Sequence, residues 1–131
     1  MEYGCIGEKL KHSFSKEIHA SLADYEYELK ELNANEVEPF LKKREFKAIN
    51  VTIPYKEKVI PFLDFVSEEA KQIGAVNTIV NKNGELYGFN TDFFGMQSLM
   101  EKAGITVNGK TVAILGSGGT AKTANAVKEG E

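Results

Sequence analysis

One cysteine, Cys5, is all the thiol this 131-residue chain carries. That excludes an internal disulfide, and a lone thiol in an apolar strand suits a reducing compartment, so a cytoplasmic protein is expected. No base motif accompanies Cys5, which reads as a small core residue rather than a nucleophile. Neither sign of charge dominates: 16 basic residues stand against 19 acidic ones, for a net charge of −3. That balance gives nucleic acid or an anionic membrane no handle, and neither is expected as a partner. The one basic cluster, Lys42-Lys43-Arg44, reads as a solvated helix end. No apolar run approaches the roughly 20 residues that cross a bilayer. The first ten residues, MEYGCIGEKL, lack the basic start and long apolar stretch of a secretory signal. Repeats and low-complexity tracts are missing as well. What is present is 42% hydrophobic and 27% charged, a mixture that suits a packed globular domain.

Strand and helix signals alternate along the chain, which predicts an α/β fold, three-layered and with a mainly parallel sheet. Residues 2–6 read as a first strand. A helix over 15–23 follows, with Ile18 and Leu22 on one face. YEYELKEL alternates apolar and charged residues as a half-buried strand does. Asn35 is the expected cap of a helix over 36–43, striped by Val37, Phe40 and Leu41. FKAINVTI is the next strand, and two short helices are expected at 56–64 and 67–73. AVNTIV and ELYGFN flank Asn83-Gly84, a hairpin-turn signal. Phe93, Met96, Met100 and Ala103 recur at helical spacing over 92–103 and are expected in the core, with Gly104 stopping the helix. A second apolar strand, TVAIL at 111–115, leads into a glycine turn and a helix near Thr120. The turn-rich link at 104–109 is the expected boundary, with one domain over 1–104 and the beginning of another over 105–131.

Polar residues collect at the ends of these elements, where parallel α/β folds bind ligands. NVTIPYK runs a buried strand into Pro54, which cannot continue the ladder, and sets Lys56 at the exit. An ammonium there can stabilise developing negative charge or donate a proton. It can also be an exposed lysine at a helix start, although a cation opposes the dipole there. Asp92 follows Asn90-Thr91 at the start of a helix, and either caps it or keeps Lys56 charged. Ser13 and Ser15 flank another helix start, where hydroxyls and free amides hold a carboxylate or merely cap. Asn77 and Asn90 can exchange hydrogen bonds with ligand hydroxyls or with buried backbone.

Gly116-Ser117-Gly118-Gly119 lies between a strand and a helix, the setting in which amides and a helix N-terminus cradle a pyrophosphate. The spacing is G-x-G-G, with Ala121 where a third spaced glycine would fall, so a turn without a ligand fits equally. Fifteen residues follow Gly116. A dinucleotide βαβ unit needs about 30, with a ribose-reading residue about 20 further on. A fragment or shortened paralogue is therefore expected.

HSFSKEIHA, INVTIPYK, IGAVNTIV, GFNTDFFG and VAILGSGGTAK, in that order, resemble the shikimate dehydrogenase family across essentially the whole chain. The resemblance implies NADP-linked, reversible hydride transfer between shikimate and 3-dehydroshikimate, a step of aromatic amino-acid biosynthesis. It implies that Ser13 and Ser15 bind the substrate carboxylate and that Thr52, Asn77 and Asp92 contact ring hydroxyls. Lys56 and Asp92 would be the catalytic pair beside the C3 oxygen, and Gly116, Gly118 and Gly119 would face the cofactor pyrophosphate. Ser117 and Thr120 stand in that same cofactor loop where alanines are common. The family's phosphate-reading arginine loop, late substrate glutamine and returning C-terminal helices have no counterpart in these residues. The expectation is then a substrate domain with little activity alone, whose uncovered sheet favours a homodimer. A non-catalytic binder of shikimate or quinate, or a quinate dehydrogenase, stays open.

Overall fold

A computed structural model describes residues 1–130. Six strands form one sheet in the order β2-β1-β3-β5-β6-β4: β1 Tyr3–Gly7, β2 Glu28–Glu31, β3 Ala48–Val51, β4 Phe65–Val66, β5 Thr78–Lys82 and β6 Glu85–Phe89. β1 pairs in parallel with β2 and β3, and β4 with β6; β5 runs antiparallel to β3 and β6. The sheet is therefore mixed but mostly parallel. The antiparallel part comes from the β5–β6 hairpin, whose turn holds Asn83 at φ 54° and Gly84 at φ 88°. Asn and Gly tolerate those left-handed angles, so the chain reverses within two residues.

Alternation along each strand decides the layers. Ile6, Ile49, Val51, Ile79 and Leu86 point to one face, where Val37 and Leu41 of α2 (Val37–Lys43) and Ala70 of α3 (Glu68–Ile73) close the main core. Cys5 points to the other face, beside Leu10 and Tyr27. There His19 of α1 (Ser15–Leu22) stacks on Tyr27 with ring centroids 3.9 Å apart. α4 (Asp92–Lys102) and α5 (Gly119–Glu129) pack on each other, and α5 also on α3.

Several expectations change. The region expected as a helix over 56–64 is a run of turns ending in a 3₁₀ turn, Ile60–Phe62, because Pro61 lies within that turn and Leu63 beyond it is extended. The two-residue β4 carried no sequence signal. The start of α2 is organised by Asn33, whose backbone N–H donates to the Glu36 carboxylate at 2.7 Å, rather than by Asn35. Phe93, Met96 and Met100 are half-buried and Ala103 is exposed, because α5 is the element packed along α4. Ile18 and Leu22 of α1 are exposed. TVAIL joins no ladder among the described residues, and Leu115 is 99% exposed. An apolar segment becomes a strand only where a neighbour takes its backbone groups.

Candidate active site

The turn after β3 is built on Tyr55, the largest fully buried side chain, whose hydroxyl donates to the Leu32 carbonyl at 2.6 Å. On either side the backbone is pinned. Thr52 N–H donates to Ile6 O at 3.0 Å, and Val76 N–H to Lys56 O at 2.7 Å. With its main chain held on both sides, Lys56 has little freedom beyond its own side chain. Its Nζ meets Asp92 Oδ2 at 2.7 Å, although 36 residues separate the two. Lys56 is 17% exposed and Asp92 41%, so the ammonium is largely screened from solvent while the carboxylate stays partly open to it. The expected dipole conflict at Lys56 does not arise, since the residue lies in a turn. Asp92 does occupy the first turn of α4, where its charge is favoured.

Asn77 lies behind this pair. Its Oδ1 accepts from Thr91 N–H at 2.9 Å and from the Thr78 hydroxyl at 3.0 Å, and its Nδ2 donates to Thr91 Oγ1 at 2.9 Å. One amide hydrogen remains beyond these bonds. Asn90, 1% exposed, is taken up structurally: it donates to Ala75 O and accepts from Phe93 N–H.

Ser13, Ser15 and Thr52 line one cleft of about 710 Å³ together with Lys9, Lys11 and His12. Ser15 opens α1, and its N–H donates to Ser13 Oγ at 3.3 Å. Sequence reasoning passed over Lys9 and Lys11, whose ammonium groups share the cleft with the carboxylates of Glu8 and Glu31, and over His12; the spacing in GEKLKHS was the signal. Gly7 lies under this cleft, and a Cβ there would come within 2.7 Å of Thr52 Cγ2.

A second cleft, of about 410 Å³, brings Lys56 together with Gly116, Gly118, Gly119 and Thr120. Gly116 has φ 124°, a left-handed angle that suits glycine. A side chain at Gly119 would come within 3.4 Å of Lys56 Cδ. Ser117 instead borders a separate groove with Gln72 and Phe93. Lys122 of α5 pairs with Glu57 at 2.6 Å and ties the helix to the residue after Lys56. Bare amides at the start of α5 beside an ammonium fit a phosphate group.

A family model described as the shikimate dehydrogenase substrate binding domain matches residues 5–79. The chain belongs to the shikimate dehydrogenase family. A shikimate dehydrogenase (NADP(+)) of Clostridium perfringens is 47% identical over 130 residues, covering 92% of this chain and 48% of the relative. That of Clostridium beijerinckii is 42% identical over 128 residues, covering 92% of this chain and 47% of the relative. The crystal structure of shikimate dehydrogenase 1 from Peptoclostridium difficile has a TM-score of 0.91 at 40% identity, over 99% of this chain and 52% of that one. A Thermus thermophilus enzyme, solved in complex with NADP(H) and shikimate, has a TM-score of 0.88 at 34% identity, again over 99% and 52%. The chain thus spans about half the length of the curated relatives it matches.

Proposed function

We propose that this chain provides the shikimate-binding half of an NADP-linked shikimate dehydrogenase, with residues 1–104 as the substrate domain and 105–131 as the beginning of the nucleotide domain. The observation that carries the reading is the Lys56–Asp92 contact, two residues distant in sequence meeting at 2.7 Å, with Lys56 lining the cleft below the glycine turn. In this reading the cofactor supplies or accepts the hydride at C3 of the ring. Lys56, held by Asp92, delivers a proton to the C3 oxygen as 3-dehydroshikimate is reduced and stabilises its charge until then. Ser13 and Ser15 bind the substrate carboxylate through their hydroxyls and the free amides at the start of α1. Thr52, Asn77 and Asp92 take the ring hydroxyls, Asn77 through its remaining amide hydrogen. Gly116, Gly118, Gly119 and Thr120, with Ser117 completing the loop, receive the cofactor phosphates.

The same reading places the protein in the cytoplasm, where a lone buried thiol stays reduced. It also includes self-association: Ile18 and Leu22 on α1 and Phe65 on the edge strand β4 are apolar and exposed. Sedimentation velocity across a concentration series tests that part.

Isothermal titration with shikimate, with and without NADP, tests the function. Saturable binding that quinate competes for weakly is expected. A chain that binds neither acid would overturn the reading, and a preference for quinate would move it to the related enzyme.

A further inference from the structure

A chain of hydrogen bonds crosses the sheet behind the candidate site. The Tyr27 hydroxyl donates to Asn50 Oδ1 at 2.7 Å, and Asn50 Nδ2 donates to Thr78 Oγ1 at 3.2 Å. The Thr78 hydroxyl donates to Asn77 Oδ1, which also accepts from Thr91 N–H. Thr91 immediately precedes Asp92, the partner of Lys56. Asn50 and Thr78 are directly opposed in the β3–β5 ladder, so strand register brings them together.

The polarity of this chain has one solution. A backbone N–H can only donate, so the Asn77 atom facing the Thr91 N–H must be its carbonyl oxygen, which leaves the amide nitrogen for Thr91 Oγ1. Thr78 then donates its hydrogen to the Asn77 oxygen and accepts from its other neighbour, which must be the Asn50 amide nitrogen. Asn50 in turn faces Tyr27 with its oxygen, and the phenol donates. A phenol is protonated at neutral pH already at its ordinary value, and burial, with the nearby Cys5 thiol, pushes Tyr27 further up.

We propose that Thr78 is a positioning residue for the Lys56–Asp92 pair. Its hydroxyl holds the Asn77 carbonyl against the Thr91 N–H, which sets the first turn of α4 and presents Asp92 to Lys56; Tyr27 supports the same arrangement one step further back. The importance of this for ligand binding rests on the function proposed above, but the arrangement itself can be tested without a ligand.

The test compares Thr78→Val, which keeps shape and β-branching but loses the hydroxyl, with Thr78→Ser, which keeps the hydroxyl. Hydrogen exchange at the Thr91 amide should speed up by about tenfold in T78V and stay near the original rate in T78S, while amides of β5 and β6 hardly change. Shikimate affinity should fall by about tenfold in T78V and be restored in T78S, and Tyr27→Phe should shift both readouts the same way by less. Unchanged Thr91 exchange in T78V overturns the proposal. So does an equal change in T78S, which keeps the hydroxyl and would assign the effect to side-chain packing at this position. If the unsubstituted chain binds no shikimate, the proposed function fails, and exchange at Thr91 still decides the role of Thr78.

Discussion

At the scale of single residues, the site depends on side chains whose freedom has been removed by neighbours that do no chemistry. Tyr55 is the clearest case. It fills the core directly before Lys56 and spends its hydroxyl on the Leu32 carbonyl. Tyr55→Phe leaves that carbonyl buried without a partner and should cost about 1–3 kcal/mol in chemical denaturation, with shikimate affinity falling as the Lys56 turn loosens. Lys56 itself should divide binding from chemistry. Lys56→Ala is expected to change the shikimate Kd only a few-fold, while lowering NADPH-dependent turnover, wherever that is measured, by about 10²–10⁴. Equal losses in affinity and rate would make Lys56 a binding group instead. Among these residues Lys56, Asp92, Asn77 and the two serines could be picked out from their place at element ends. Tyr55, Thr91 and Asn50 could not, because a buried tyrosine or a strand asparagine has no local mark that tells packing from support.

At the scale of elements, local signals succeeded where the determinant is local. The Asn83-Gly84 turn and the Gly104 stop after α4 depend on left-handed backbone angles, which sequence reports directly. Ser67 caps α3 through its side chain, in keeping with the acidic pair that follows it. The cap ahead of α2 was misplaced by two residues, since both Asn33 and Asn35 suit a cap and only geometry tells which amide reaches Glu36. Glu36→Ala should therefore destabilise the fold by about 0.5–1.5 kcal/mol, and Asn35→Ala by no more than about 0.5 kcal/mol. Thermal melts of the two variants side by side would reverse this assignment if Asn35→Ala proved the costlier. TVAIL shows the opposite limit: its composition is that of a strand, yet a strand is a relation between two segments.

At the scale of the whole molecule, one ion pair links three parts of the fold. Arg44, just past α2, binds Asp64 at 2.7 Å and also donates to the Gly84 carbonyl in the hairpin turn, while Leu86 N–H donates to the same carboxylate at 2.8 Å. The Leu86 amide, and after it the Arg44 guanidinium, hold the Asp64 carboxyl below its ordinary value of 3.8. A carboxyl depressed in the folded state stabilises the fold above its ordinary value, and that contribution is lost as the pH falls through the depressed value. Stability should therefore decline as the pH drops below about 4, and Asp64→Asn should flatten that acid limb. An identical pH profile for the variant would show that Asp64 carries none of the acid sensitivity.

The sequence alone determined that the chain is α/β, which segments could be strands or helices, and which polar residues stand at their ends, because periodicity, turn chemistry and motif order are all written locally. The tertiary structure decided what those residues meet. That Lys56 reaches Asp92 and that Thr78 lies opposite Asn50 follow from strand order and register, and that the glycine turn comes over Lys56 follows from the packing of α5 on α4 and α3. Those depend on the burial of whole faces rather than on any stretch of neighbouring residues.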